Sequence, residues 1–171
     1  MKSYPFYECL AHEDDRLHEH LMRVAEAAEI SVFDAGEDVR RIAFLSGLLH
    51  DIGKATPYFQ EDRLKKKKKS RLTSHSGCSA CIAWKVTEHL CLPLWIRLST
   101  LVAILRHHGN LEFDSWETAY STIRQRIKSD EILPRQLEAL DLENIVAWMS
   151  SKVSRYFEHN DFDPQDFTVA T

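Results

Sequence analysis

Helical spacing of the apolar residues most limits the folds open to this chain. Leu17, Leu21, Val24, Ala25 and Ala28 recur at short helical intervals. So do Val39, Ile42, Leu45, Leu48 and Leu49, and again Leu94, Leu98, Leu101, Val102 and Leu105. Such sets form one stripe on a helix and scatter over both faces of a strand. Only 5 Gly and 5 Pro occur in 171 residues, too little turn material for a many-stranded sheet. An all-α fold follows, a compact helical bundle. The length suits one domain over residues 1–171 that buries its own core, and neither a repeat nor a linker divides it.

The pattern predicts helices over 14–30 and 37–51, the second closed by Gly53. Residues 54–71 are the least regular. Thr56-Pro57 opens a short helix through Tyr58, Phe59 and Gln60, and the lysine run beyond it is expected as a solvated loop. A third helix is expected over 73–90, capped by Thr73 or Ser74, with His75 in its first turn. Pro93 opens a fourth that runs through His108 and stops at Gly109-Asn110. Further amphipathic helices are read over 115–128 and 141–158, so a motif-bearing core of 17–110 is followed by C-terminal helices within 115–159.

Charge is unevenly spread. The net charge is −4, yet Arg63, Lys65, Lys66, Lys67, Lys68, Lys69 and Arg71 put seven cations into nine residues. The remainder then carries −4 minus 7, or −11. A basic segment on an acidic body suits a polyanion, so Lys65–Lys69 are candidates for a salt-sensitive contact with a nucleic-acid backbone. Charge runs are as often simply solvated. Tyr58, Phe59 and Trp84 could stack on single-stranded bases or belong to the core, and Phe59 suits the core better. No apolar run approaches the ~20 residues needed to span a bilayer, and MKSYPFYECL has no signal-peptide pattern, so the expectation is a cytoplasmic protein with no membrane contact. Cys9, Cys78, Cys81 and Cys91 are then expected as thiols. Cys78 and Cys81 share a buried helix face, and a zinc site drawing on Cys9 and Cys91 lacks a second close pair.

The candidate chemistry rests on His20, His50, Asp51, His75, His107 and His108, each at a helix end or on an apolar stripe. A lone histidine there is usually a hydrogen-bonded core residue, and His107-His108 alone could be a charged helix end. As a set they are the donors that divalent first-row metals prefer. Mn, Ni, Co or Fe are favoured over Mg, and Zn also fits. A carboxylate among imidazoles can bridge two ions, which lower the pKa of bound water and clamp a phosphoester.

Leu-Leu-His50-Asp51-Ile-Gly-Lys54 resembles the signature of the HD metal-dependent phosphohydrolases. Glu19-His20-Leu21, Gly47-Leu-Leu-His50-Asp51-Ile-Gly-Lys54-Ala-Thr-Pro-Tyr-Phe59-Gln60, Ser74-His75-Ser76-Gly77 and Arg106-His107-His108-Gly109 are similar, in order and spacing, to the motifs of CRISPR-associated HD nucleases. The resemblance implies an HD-type helical bundle. It implies one metal held by His20, His50 and Asp51, and a second shared through Asp51 and held by His75, His107 and His108. Lys54 would present a point charge to the scissile phosphate, making Asp51 and Lys54 the catalytic pair. It further implies hydrolysis of single-stranded DNA in type I interference, with a separate helicase subunit as partner and, through it, an RNA-guided surveillance complex. A late aspartate, usual in HD proteins, has no match within residues 142–151, which leaves Asp141, Asp161 and Asp163 at the margins. Two other readings stand beside this one: an HD phosphohydrolase of nucleotides or cyclic nucleotides, and a non-catalytic nucleic-acid-binding module.

Overall fold

Each apolar stripe forms a helix in the computed structural model of the chain, which describes residues 3–109, 121, 125, 131–157 and 162–167. The helices are α1 (Leu17–Ser31), α2 (Glu37–Leu49), α3 (Ser76–His89), α4 (Leu94–Arg106), α5 (Ile132–Glu138) and α6 (Leu142–Val153). The all-helical class holds. The exception among the described residues is a short antiparallel ribbon of β1 (Leu10–His12) and β2 (Asp15–Arg16). The expected helix over 115–128 lies outside the described residues apart from Ser121 and Gln125.

α1 packs on α2, α3 packs on α4, and α2 against α4 joins the pairs. Two glycines set how closely these parts meet. A Cβ on Gly47 would stand 2.6 Å from the Ala25 Cα, so α1 and α2 touch backbone to backbone there. A Cβ on Gly53 would stand 2.5 Å from the His75 carbonyl oxygen. Gly53 was expected as a helix stop. It lies instead inside a 3-10 turn, Ile52–Ala55, that presses on the start of α3 and donates its N–H to Ser79 Oγ at 2.9 Å. The N-terminal turn closes over the same core: Phe6 packs on Trp148 of α6, and its N–H reaches Asp141 Oδ2 at 2.9 Å.

Several boundaries move, each for a tertiary reason. Helix α1 starts at Leu17 rather than 14, because the Leu17 N–H bonds to Cys9 O at 2.9 Å and continues the ribbon. Helix α2 ends at Leu49, leaving His50 as its cap and Asp51 beyond it in the bridge region (φ −114°, ψ 8°) that active-site residues often occupy. The short helix and lysine loop give way to a π-helix, Tyr58–Lys65, which takes in the first lysine. Gln60 anchors it, donating to Leu10 O and Lys54 O while accepting from Leu10 N–H. Helix α3 begins at Ser76 because Ser70 and Thr73 close a capping box around a separate 3-10 turn. Gln136 of α5 holds the next stretch through Leu72 O and Ser74 O. Helix α4 stops at Arg106, before both histidines. Helix α5 was not read from the sequence because Pro134 interrupts its pattern; in the first turn a proline gives up no helical bond.

Candidate metal centre

Helix ends deliver the polar residues to one point. His20 projects from the first turn of α1, His50 caps α2, Asp51 and Lys54 follow it, His75 precedes α3, and His107 and His108 follow α4. Asp51 lies at the middle and is only 3 % exposed. Its two oxygens face different groups. Oδ2 is 3.2 Å from His50 Nε2, 3.5 Å from His20 Nε2 and 2.7 Å from Lys54 Nζ. Oδ1 is 2.8 Å from His75 Nε2 and 3.3 Å from His107 Nε2. His108 Nε2 completes that side, 3.0 Å from His75 Nε2.

The outer ring nitrogens set the orientation of three histidines. At the ends of α2 and α4, His50 and His107 donate Nδ1–H to the carbonyls three residues back, Gly47 O at 2.8 Å and Ile104 O at 2.6 Å. A donated Nδ1–H leaves the neutral ring's Nε2 as an acceptor facing inward. His20 Nδ1 is 3.1 Å from Asp15 Oδ2, and Arg23 Nη2 holds Asp15 Oδ1 at 2.6 Å. Asp15 is a functional candidate that the sequence did not reveal. It precedes the helix, so no helical spacing links it to His20.

These groups fit a divalent metal. His75 Nε2 is 3.4 Å from His107 Nε2 and 3.0 Å from His108 Nε2, so three imidazole nitrogens converge on one point, a donor set that suits a divalent cation. Asp51 Oδ1 is buried, and its close polar neighbours are the Nε2 atoms of His75 and His107. Two groups bring ligand atoms within 4.8 Å of one another: His20 with His50 and Asp51, and Asp51 with His75, His107 and His108. The six donors read from the sequence therefore converge, and the site could hold a metal.

The electrostatics agree. Burial works to raise the Asp51 carboxyl, but the imidazoles of His107, His50 and His75 outweigh it and hold the group well below the usual carboxylate range. Burial pushes His75 down, and burial with nearby imidazoles lowers His20 and His108, so these rings favour the neutral, ligating form. His107 goes the other way: burial opposes its charge, but Asp51 and the Ile104 carbonyl raise it.

The margins differ from expectation. Asp141 does not reach the centre; its Oδ2 is occupied by Phe6 N–H and Asn144. Asp163 accepts from Gln165 N–H and is in neither ligand group. Asp161 lies outside the described residues. The lysine run is partly neutralised at home, Lys65 by Glu61 at 2.6 Å, Lys66 by Asp62 at 3.0 Å and Lys67 by Glu13. Tyr58 and Phe59 are buried, and Arg97 stacks 4.0 Å over the Trp84 ring. All four cysteines are free, and burial pushes the Cys9 thiol up to about 12. No cysteine joins either ligand group among the described residues.

Beside the centre a cavity of about 430 Å³ is lined by His75, His108 and Lys54 on the metal side. Lys54 is 4 % exposed and its Nζ also approaches Ala11 O at 3.3 Å. No described helix is long and apolar enough to cross a membrane.

Comparison with known proteins bears on this geometry. The chain is 31 % identical over 142 residues to the CRISPR-associated nuclease/helicase Cas3 of Haloferax volcanii, a match covering 81 % of this chain and 15 % of that protein. It thus spans less than a sixth of that relative's length. No solved structure gives a significant match. The family model for the HD domain matches residues 17–147, which take in every candidate ligand, and the chain belongs to the HD domain family.

Proposed function

We propose that this chain is a metal-dependent nuclease that hydrolyses phosphodiester bonds of single-stranded DNA in CRISPR interference. One observation carries the reading: Asp51 divides its two oxygens between two imidazole groups, at the edge of a cavity whose wall includes Lys54, Arg63 and Lys67. Similarity to a nuclease/helicase supports the nucleic-acid substrate. In this reading His20, His50 and Asp51 hold one ion, and Asp51, His75, His107 and His108 a second, with Mn, Ni, Co or Fe favoured over Mg and Zn also suited. Bound there, divalent ions would supply Lewis acidity toward water and the phosphoester.

The chain's own residues do the rest. Asp15, Gly47 O and Ile104 O fix the rings of His20, His50 and His107. Lys54 meets the negative charge that grows on the phosphate, from a buried position where its field is little screened. A separate helicase subunit, and the RNA-guided complex it serves, are the partners in this reading. Lys65–Lys69 contribute diffuse, salt-sensitive attraction.

The test sets a single-stranded oligonucleotide against a panel of nucleotides and cyclic nucleotides, with Mn or Ni added. Oligonucleotide cleavage lost in Asp51→Ala is expected. Hydrolysis of nucleotides without cleavage of DNA overturns the reading in favour of an HD phosphohydrolase. DNA binding without any hydrolysis overturns it in favour of a binding module.

A further inference from the structure

The cavity beside the centre has a second wall that the metal donors do not use. Phe59, Arg63, Leu64 and Lys67 form it together with Ala11, His12 and Glu13, whose carboxylate pairs with Lys67. The first three come from the π-wound segment Tyr58–Lys65. Bonding from i to i+5 keeps residues four and five apart on one face; ordinary α winding would turn Leu64 about 140° from Phe59. The unusual winding is thus what ranges Arg63 and Leu64 beside Phe59 along one side of the cavity.

Charge singles out Arg63 within this wall. Lys65, Lys66 and Lys67 each meet a carboxylate of their own, and exposed Lys68 and Lys69 are not part of the wall. Arg63 is half-buried, lines the cavity and has no carboxylate partner among the described residues. A guanidinium offers a planar fork that matches two phosphate oxygens, and its weak hydration suits a partly buried site. At about 430 Å³ the cavity takes a nucleotide-sized unit.

We propose that Arg63 binds a phosphodiester of single-stranded nucleic acid in this cavity, next along the strand to the linkage presented at Asp51, with Phe59 and Leu64 as apolar floor for the adjoining sugar or base. This inference rests on the nuclease reading and deepens it. It moves the specific backbone contact from Lys65–Lys69 to Arg63, and it favours a strand with a flanking phosphate over a lone nucleotide.

The test measures binding apart from cleavage. A fluorescent single-stranded phosphorothioate oligonucleotide, resistant to hydrolysis, is titrated with the Mn-loaded full chain at several salt concentrations. Arg63→Ala weakens binding about tenfold and reduces the salt slope by about one. Arg63→Lys falls between it and wild type, since it keeps the charge and loses the fork, and it serves if the alanine variant fails to fold. The double substitution Lys68→Ala/Lys69→Ala removes only diffuse attraction and weakens binding less than Arg63→Ala, although it removes two charges. Mn affinity, read by calorimetry, is the same in all variants. Arg63→Ala binding within twofold of wild type, or a loss equalled by the double lysine variant, overturns the proposal. A wild type that does not bind the oligonucleotide also overturns it. A wild type that binds through Arg63 but cuts no DNA refutes the nuclease reading and leaves the subsite standing.

Discussion

Replacing Gly47 by alanine tests how the fold builds half of the metal centre. The new Cβ would sit 2.6 Å from Ala25 Cα, 2.8 Å from Ala25 N and 2.9 Å from Val24 C, against the 3.4 Å at which ordinary contact begins. The shortfall is about 0.8 Å. All three neighbours are backbone, so no side chain can swing aside and the helices themselves must part. Overpacking of this kind costs about 1–3 kcal/mol, and rigid neighbours place it near the top of that range. Alanine returns about 1 kcal/mol of helix propensity. The net loss is about 2 kcal/mol, which lowers Tm by about 4–8 °C in a chain of this size. The centre records the same displacement selectively. α1 carries His20 and His50 caps α2, and both face Asp51 Oδ2; His75, just before α3, and His107, just after α4, face Oδ1. Calorimetric titration with Mn is therefore expected to lose its His20–His50 component and keep the other, while thermal unfolding in chelator shows the fall in Tm. An unchanged Tm with two intact binding steps would refute the packing argument. Equal weakening of both steps would refute the assignment of the two sides.

Other perturbations isolate single links. Asp51→Asn leaves the buried Lys54 ammonium without its 2.7 Å partner, so the metal-free chain loses about 3–5 kcal/mol in urea unfolding. Asp51→Asn/Lys54→Met recovers most of that loss but not metal binding; additive losses would contradict the pairing. Asp15→Asn weakens the anchor of His20 and lowers affinity on the His20 side about 10–100-fold, measured by Mn titration, while leaving the His75 side intact. Metal affinity falls on acidification, and the sign follows from the ligands: a protonated ring must lose its proton before it can bind. His107, raised by Asp51, protonates first as pH drops, whereas His20, His75 and His108, held low by burial, stay neutral to lower pH. Binding near pH 6.5 then releases protons, seen as a dependence of the calorimetric heat on buffer ionisation; the absence of such a dependence would exclude His107 as a ligand.

Residues three and four apart on the same helix report their relation locally, which is why the stripes of α1, α2 and α4 are legible in the sequence. The candidate donors are legible for a different reason. His50-Asp51, His75 and His107-His108 lie at or next to helix ends, where short motifs carry recognisable residue types. Neither kind of signal reaches across space. That Asp51 turns one oxygen to His20 and His50 and the other to His75 and His107 depends on how closely α1 meets α2 at Gly47 and how closely the 51–55 turn meets α3 at Gly53. The ribbon that brings Asp15 to His20, the π winding that puts Arg63 on the cavity wall, and the pairing of Lys65, Lys66 and Lys67 with nearby carboxylates are likewise tertiary outcomes. The sequence by itself determined a helical HD chain and its six metal-donor candidates, because local periodicity and motif chemistry are written along the backbone. Only the tertiary structure decided the division of the centre around Asp51 and which cation faces the cavity, because both are distances between residues far apart in the chain.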